Sequence, residues 1–182
     1  MSRAFVKDDD WEDPVVAPRP PLPPGAPNYV TPRGRVLLQE EMAALDTERA
    51  RLEADTTLDD GVRRRRASAL AQRMRELTSR IATAQVVDPR ATAAAGGADT
   101  VRFGATVTLH TRSGPDAGED ERLQIVGVDE ADPEQGRIAF TVPMAQAVLG
   151  RKVGDTVLLH AAGGERSLEI TAVDYATGED AR

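Results

Sequence analysis

Ala67-Ser68-Ala69-Leu70-Ala71-Gln72-Arg73-Met74-Arg75-Glu76-Leu77-Thr78-Ser79-Arg80-Ile81-Ala82-Thr83-Ala84 is the stretch whose reading decides the fold. Its apolar residues Ala67, Leu70, Met74, Leu77, Ile81 and Ala84 recur at alternating steps of three and four. That is a heptad seam, which keeps one helix face against a partner helix. Upstream, Leu38, Met42, Leu45 and Leu52 supply an answering stripe. Between the stripes lies Asp55-Thr56-Thr57-Leu58-Asp59-Asp60-Gly61, too short for anything but a tight reversal. The chain therefore predicts an antiparallel two-helix coiled-coil hairpin over residues 30–89, with carboxylates at its far end.

The hairpin has legible ends. Thr31 can cap the first helix, and Pro32 fits the first helical position, where a missing N–H costs nothing. That helix runs to about Ala54, a length of roughly 35 Å at 1.5 Å per residue. The second begins near Leu58–Gly61 and stops at Val87-Asp88-Pro89, because the residue before a proline disfavours helical geometry. Residues 90–99 are small and polar and read as a linker. Residues 1–29 hold most of the twelve prolines, the acidic run Asp8-Asp9-Asp10 and the only tryptophan, Trp11. Such a segment buries too little apolar surface to offset its ordering entropy, so it reads as a disordered, acidic, proline-rich leader.

Beyond residue 100 the period switches from 3.6 to 2. Val101, Phe103, Ala105, Val107 and Leu109 alternate with other residues, as in a half-buried strand. Leu123–Val128, Ile138–Val142, Val157–Leu159 and Leu168–Tyr175 are further strands, the last two joined by a turn at Gly163-Gly164. Pro143 opens and Gly150 closes a short helix. Residues 100–176 thus read as a small antiparallel sheet with one short helix, followed by a tail at 177–182. The fold class is α+β.

Composition narrows the function. There is no cysteine, hence no disulfide and no thiolate metal site. His110 and His160 lie too far apart in sequence to suggest a ligand pair, so no metal site is expected in the isolated protein. No apolar run approaches the roughly 18 residues of a membrane span, and the N-terminus does not resemble a signal peptide, so a cytoplasmic location is expected. Residues 31–90 carry 12 basic and 10 acidic side chains, and residues 91–182 carry 8 and 15. An acidic module is a poor partner for phosphate, so nucleic acid is met only indirectly, through a protein. A helical pair with one internal seam satisfies itself, so a monomer is expected rather than a scaffold.

Several blocks in order resemble the Gre family of bacterial transcript cleavage and elongation factors. They are Thr31-Pro32-Arg33-Gly34, Ala84-Gln85-Val86-Val87-Asp88, Phe103-Gly104-Ala105-Thr106-Val107, Ile125-Val126-Gly127-Val128-Asp129-Glu130-Ala131-Asp132, Pro143-Met144-Ala145, and Val153-Gly154-Asp155. The resemblance implies a C-terminal module like the FK506-binding proteins. It implies docking on RNA polymerase at the rim of the secondary channel, through Thr141, Val142, Pro143 and Met144. The hairpin then enters the channel and lends acids to a magnesium ion at the polymerase active site. The factor itself is not an enzyme and carries no cofactor beyond that shared magnesium.

The tip departs from the family's Gly-Asp-x-x-Glu-Asn-Ala-Glu-Tyr. Here stand Asp59-Asp60-Gly61-Val62 and then Arg63, Arg64, Arg65 and Arg66. The hairpin is also shorter by about five or six residues per arm, which withdraws the tip by roughly 8–9 Å. Asp59 and Asp60 read as helix-start acids, with Thr57 and Asp60 approximating a capping box, as metal-delivering acids, or as acids making another functional contact. The arginines read either as a solvated helix start or as a basic collar. Thr141-Val142-Pro143 replaces the family's Asp-Ser-Pro. The expectation is a secondary-channel factor that modulates elongation or pausing with weak or no cleavage stimulation. A true cleavage factor using Asp59 and Asp60 is the alternative. A prolyl isomerase or a coiled-coil scaffold is the remote one.

Overall fold

The computed structural model describes residues 19–161 and 164–175. Trp11, Gly163 and the tail at 177–182 lie outside the described residues.

The hairpin is built as its periodicity requires. Helix α1 spans Pro32–Ala54 and α2 spans Asp60–Thr83. Leu38, Leu45, Leu70 and Leu77 are buried together with Val30, and Met42, Met74, Ile81 and Ala84 pack partly against them. The seam opens toward the tip. Ala67 is exposed, and with Leu52, Leu70, Ala71 and Met74 it lines an open apolar groove, because alanine is too short to fill the gap between helices. At the root, β1 (Tyr29–Val30) pairs in parallel with β2 (Gln85–Val86).

The expected linker contains a helix. α3 spans Pro89–Gly96. Asp88 caps it, accepting from the backbone N–H of Arg90 at 2.9 Å. Pro89 starts it, Ala93-Ala94-Ala95 favour it, and Gly97 ends it at φ 86°. The reading of residues 1–29 as a disordered leader also fails for its described part. Residues 19–29 lie along the hairpin root, held by polar contacts that composition cannot announce.

The module is a five-stranded sheet ordered β5-β4-β3-β7-β6. Its strands are β3 (Thr106–Ser113), β4 (Asp120–Val126), β5 (Arg137–Ala139), β6 (Thr156–Ala161) and β7 (Gly164–Asp174). It is mixed and not purely antiparallel, since β4 and β5 run parallel with Ile125 opposite Ile138. Between them the chain makes two single 3-10 turns, Val128–Glu130 and Pro133–Gln135, which return it to re-enter the sheet in the same direction. The first strand also starts later than its alternation suggests. Gly104 has φ 87°, and an added Cβ would lie 2.6 Å from Pro89 Cγ, so the chain bends there against the start of α3.

Helix α4, Pro143–Val148, packs Ala145 and Val148 into the core. Val107, Leu109, Ile125, Leu168 and Ile170 form the centre of that core. Phe103 and Phe140 meet Tyr29 in a triangle with ring centroids 5.6–5.8 Å apart. Tyr29 belongs to the hairpin root, so this triangle joins the two parts of the molecule. No helix among the described residues is long and apolar enough to cross a membrane.

Candidate functional site

The hairpin tip is organised by backbone capping. Asp59, not Thr57, is the N-cap of α2, with its Oδ1 accepting from Gly61 N at 2.7 Å and Val62 N at 3.3 Å. Thr57 is engaged elsewhere. Its N–H and hydroxyl donate to Asp55 Oδ1 at 2.8 and 2.6 Å. These bonds, the hydroxyl first, hold the Asp55 carboxyl below the usual aspartate range. Asp60 is left as the outward acid. Its side chain is 84% exposed and lies 3.2 Å from Arg63 Nη1.

The four arginines do not act alike. Arg63 turns inward and donates from Nη2 to Asp55 O at 2.8 Å and Leu58 O at 3.2 Å. It thereby satisfies carbonyls that the end of α1 and the reversal leave open. Arg64 donates from Nε to Asp60 O at 3.2 Å and remains exposed, as does Arg65, while Arg66 is half-buried. The collar is therefore split between a residue that closes the turn and its outward neighbours. Among the described residues, no group of three or more His, Asp or Glu is arranged to hold a metal ion.

The module's loop offers a different surface. Val142 precedes α4, and both Val142 and Met144 pack partly against the module core. Thr141 is half-buried and Pro143 is exposed. The exposed apolar surface of this loop is thus Pro143 and what Met144 leaves uncovered. The two histidines are far apart in role as well as in sequence. His110 Nδ1 lies 2.7 Å from Asp120 and His160 Nε2 lies 3.0 Å from Glu165.

The root of the hairpin is where sequence reading missed the most. Glu130 is buried in the 3-10 turn after β4, and its Oε1 accepts from Thr31 N at 2.8 Å and Gly127 N at 3.2 Å. Its Oε2 accepts from the Thr31 hydroxyl, which in turn accepts from Gly34 N at 3.1 Å. The block Thr31-Pro32-Arg33-Gly34 is therefore one half of a joint whose other half is Glu130. Asp129 is paired with Arg19 and with Arg80, the latter at 3.3 Å. Asn28, also buried, donates to Arg80 O at 2.7 Å and to Thr83 Oγ1 at 3.0 Å.

Comparison with known proteins places these features in a family. A model described as transcription elongation factor, GreA/GreB, C-terminal, matches residues 96–175. The transcription elongation factor GreA of Alkalilimnicola ehrlichii is 37% identical over 158 residues, covering 80% of this chain and 96% of that protein. GreA of Ralstonia nicotianae is 34% identical with the same coverage. Among solved structures, a GreA/GreB elongation factor from Nitrosomonas europaea is 20% identical, with 82% of this chain and 99% of that one covered and a TM-score of 0.40.

Proposed function

The chain belongs to the GreA/GreB family of transcription elongation factors, and from that premise we propose that it binds bacterial RNA polymerase at the secondary-channel rim as a monomer and works by occupying the channel with its hairpin. In this reading it modulates elongation or pausing and stimulates transcript cleavage weakly or not at all. It is not an enzyme in its own right.

The observation that carries this reading is the state of the tip carboxylates. Asp55 is engaged by Thr57 and Asp59 by the first turn of α2. Asp60 is the one whose carboxylate holds no backbone group, and it is paired with Arg63. A divalent ion seeking additional oxygen ligands would find one outward acid, itself paired with Arg63, in an arginine-rich setting, which is a poor donor set for magnesium. The residues do not fit a metal-delivering tip. The buried packing of Phe103 and Phe140 on Tyr29 supports a core role for these rings over a prolyl isomerase pocket.

The exposure of Asp60 favours one second reading, cleavage stimulation through that single acid. The test is a transcript cleavage assay on stalled elongation complexes, with and without a full cleavage factor as competitor. Channel occupancy predicts little cleavage by the wild-type protein and suppression of the competitor's activity. Robust cleavage that Asp60→Asn abolishes would establish the second reading instead.

A further inference from the structure

The segment from Arg19 to Asn28 crosses the root of the hairpin and touches each of its neighbours. The Arg19 guanidinium bridges Glu41 on α1 and Asp129 in the module. The next residue's carbonyl, Pro20 O, accepts from Arg80 Nη2 on α2 at 2.5 Å. Leu22 lines a shallow, open pocket together with Glu76, Ser79, Arg80 and Thr83. Asn28 closes the segment onto Arg80 O and Thr83 Oγ1, and its own carbonyl accepts from Gln85 N at 2.8 Å.

Asp129 depends on this arrangement. Its side chain is 5% exposed. Oδ1 accepts from Arg19, whereas Oδ2 lies near Arg80 Nε without a hydrogen bond and Arg80 Nη1 is buried without a partner. A buried carboxylate so placed is costly unless paired and hydrogen-bonded. Arg19 supplies that hydrogen bond while its other fork nitrogen reaches α1. A planar guanidinium can hold two carboxylates on separate elements in this way, and a lysine ammonium cannot match it.

We propose that Arg19 is a positioning residue and that residues 19–28 form a strap fixing the direction of the hairpin relative to the module. The strap joins both helices to the module beside the Thr31–Glu130 joint and the Tyr29 ring contacts, so loosening it widens the range of angles between hairpin and module without unfolding either. This rests on the channel-occupancy reading only for its consequence, since a misdirected hairpin would enter the channel poorly. The strap itself is a property of the free protein.

The chain has no cysteine, so a spin-label pair can be introduced cleanly. Ala50→Cys on exposed α1 and Glu134→Cys on the exposed 3-10 turn report hairpin against module. Electron–electron distance measurements on the full chain should give one narrow distribution for the wild-type pair. Arg19→Ala should broaden it at least twofold and shift its mean, Arg19→Lys should fall between, and Glu41→Gln, which weakens only the α1 leg, should broaden it less than Arg19→Ala. Distributions for Arg19→Ala and Glu41→Gln that superimpose on wild type, with circular dichroism unchanged, would overturn the strap. A broadened distribution together with undiminished suppression of a cleavage factor would retain the strap and count against channel occupancy.

Discussion

The carboxyl of Glu130 lies where the β-carbon of any other residue at position 34 would have to go. A Cβ built on Gly34 would stand 2.1 Å from Glu130 Cδ. Moving the carboxyl aside is not free, because it accepts from Thr31 N, the Thr31 hydroxyl and Gly127 N. Glycine at position 34 is thus a packing requirement set by a residue 96 positions away in the chain.

Gly34→Ala is expected to destabilise the protein by about 2 kcal/mol, despite the roughly 1 kcal/mol that alanine gains in a helix. Glu130→Ala removes the obstruction, so the alanine at position 34 should cost little in that background. A double-mutant cycle in urea denaturation checks this, and strict additivity would show that the two residues do not compete for space.

Asp59→Ala removes a helix cap worth about 1 kcal/mol, which is about a fivefold change in local opening. Amide exchange at Gly61 and Val62 should accelerate by that factor. Asp59→Asn keeps the cap and should leave exchange unchanged, and so should Asp60→Asn, whose side chain caps nothing.

The depressed Asp55 pKa gives the tip a pH dependence of definite sign. The folded value lies below the ordinary one because Thr57 donates to the ionised form. The stabilisation is therefore complete above the ordinary aspartate pKa and is lost as pH falls through the lower, folded value. Carboxyl NMR should titrate Asp55 below ordinary aspartates. Thr57→Val, which deletes the leading hydroxyl bond, should move it upward. Identical titration in both proteins would reject this cause.

Pro143→Asp is the cleaner test of polymerase docking, because Pro143 is exposed whereas Met144 partly packs into the module core. Affinity for polymerase should fall about tenfold, corresponding to about 1.4 kcal/mol, with the melting temperature held within a degree or two. Unchanged affinity would move the interface elsewhere.

What could be read from the sequence followed local rules. The Thr31-Pro32 start and the leucine spacing located α1 to its observed ends, and the period of 2 located the strands of the module with end errors of up to five residues, the largest at the start of β3. Asp88-Pro89 carried the same start signal for α3, yet the small polar run after it hid the helix. The parallel β4–β5 pairing and the Glu130–Gly34 packing depend on residues distant in sequence, so no local period reports them. Arg19 sits in a proline-rich stretch whose composition argues for disorder, and its pairing with the buried Asp129 and the half-buried Glu41 makes it a fixed point. At the tip, Thr57 and Asp59 are both good caps, and because Thr57 is held by the Asp55 carboxylate, Asp59 is the one that caps α2.

The joint at Thr31, Gly34 and Glu130 has a mechanical meaning. The hairpin is a rigid lever about 35 Å long, so a tilt of 10° at its base carries the tip roughly 6 Å sideways. Bonds whose removal changes the folding free energy only modestly can therefore decide where the far end points. Selection on such a hinge acts on aim, and substitutions that leave the melting curve nearly intact can still send the tip to the wrong place.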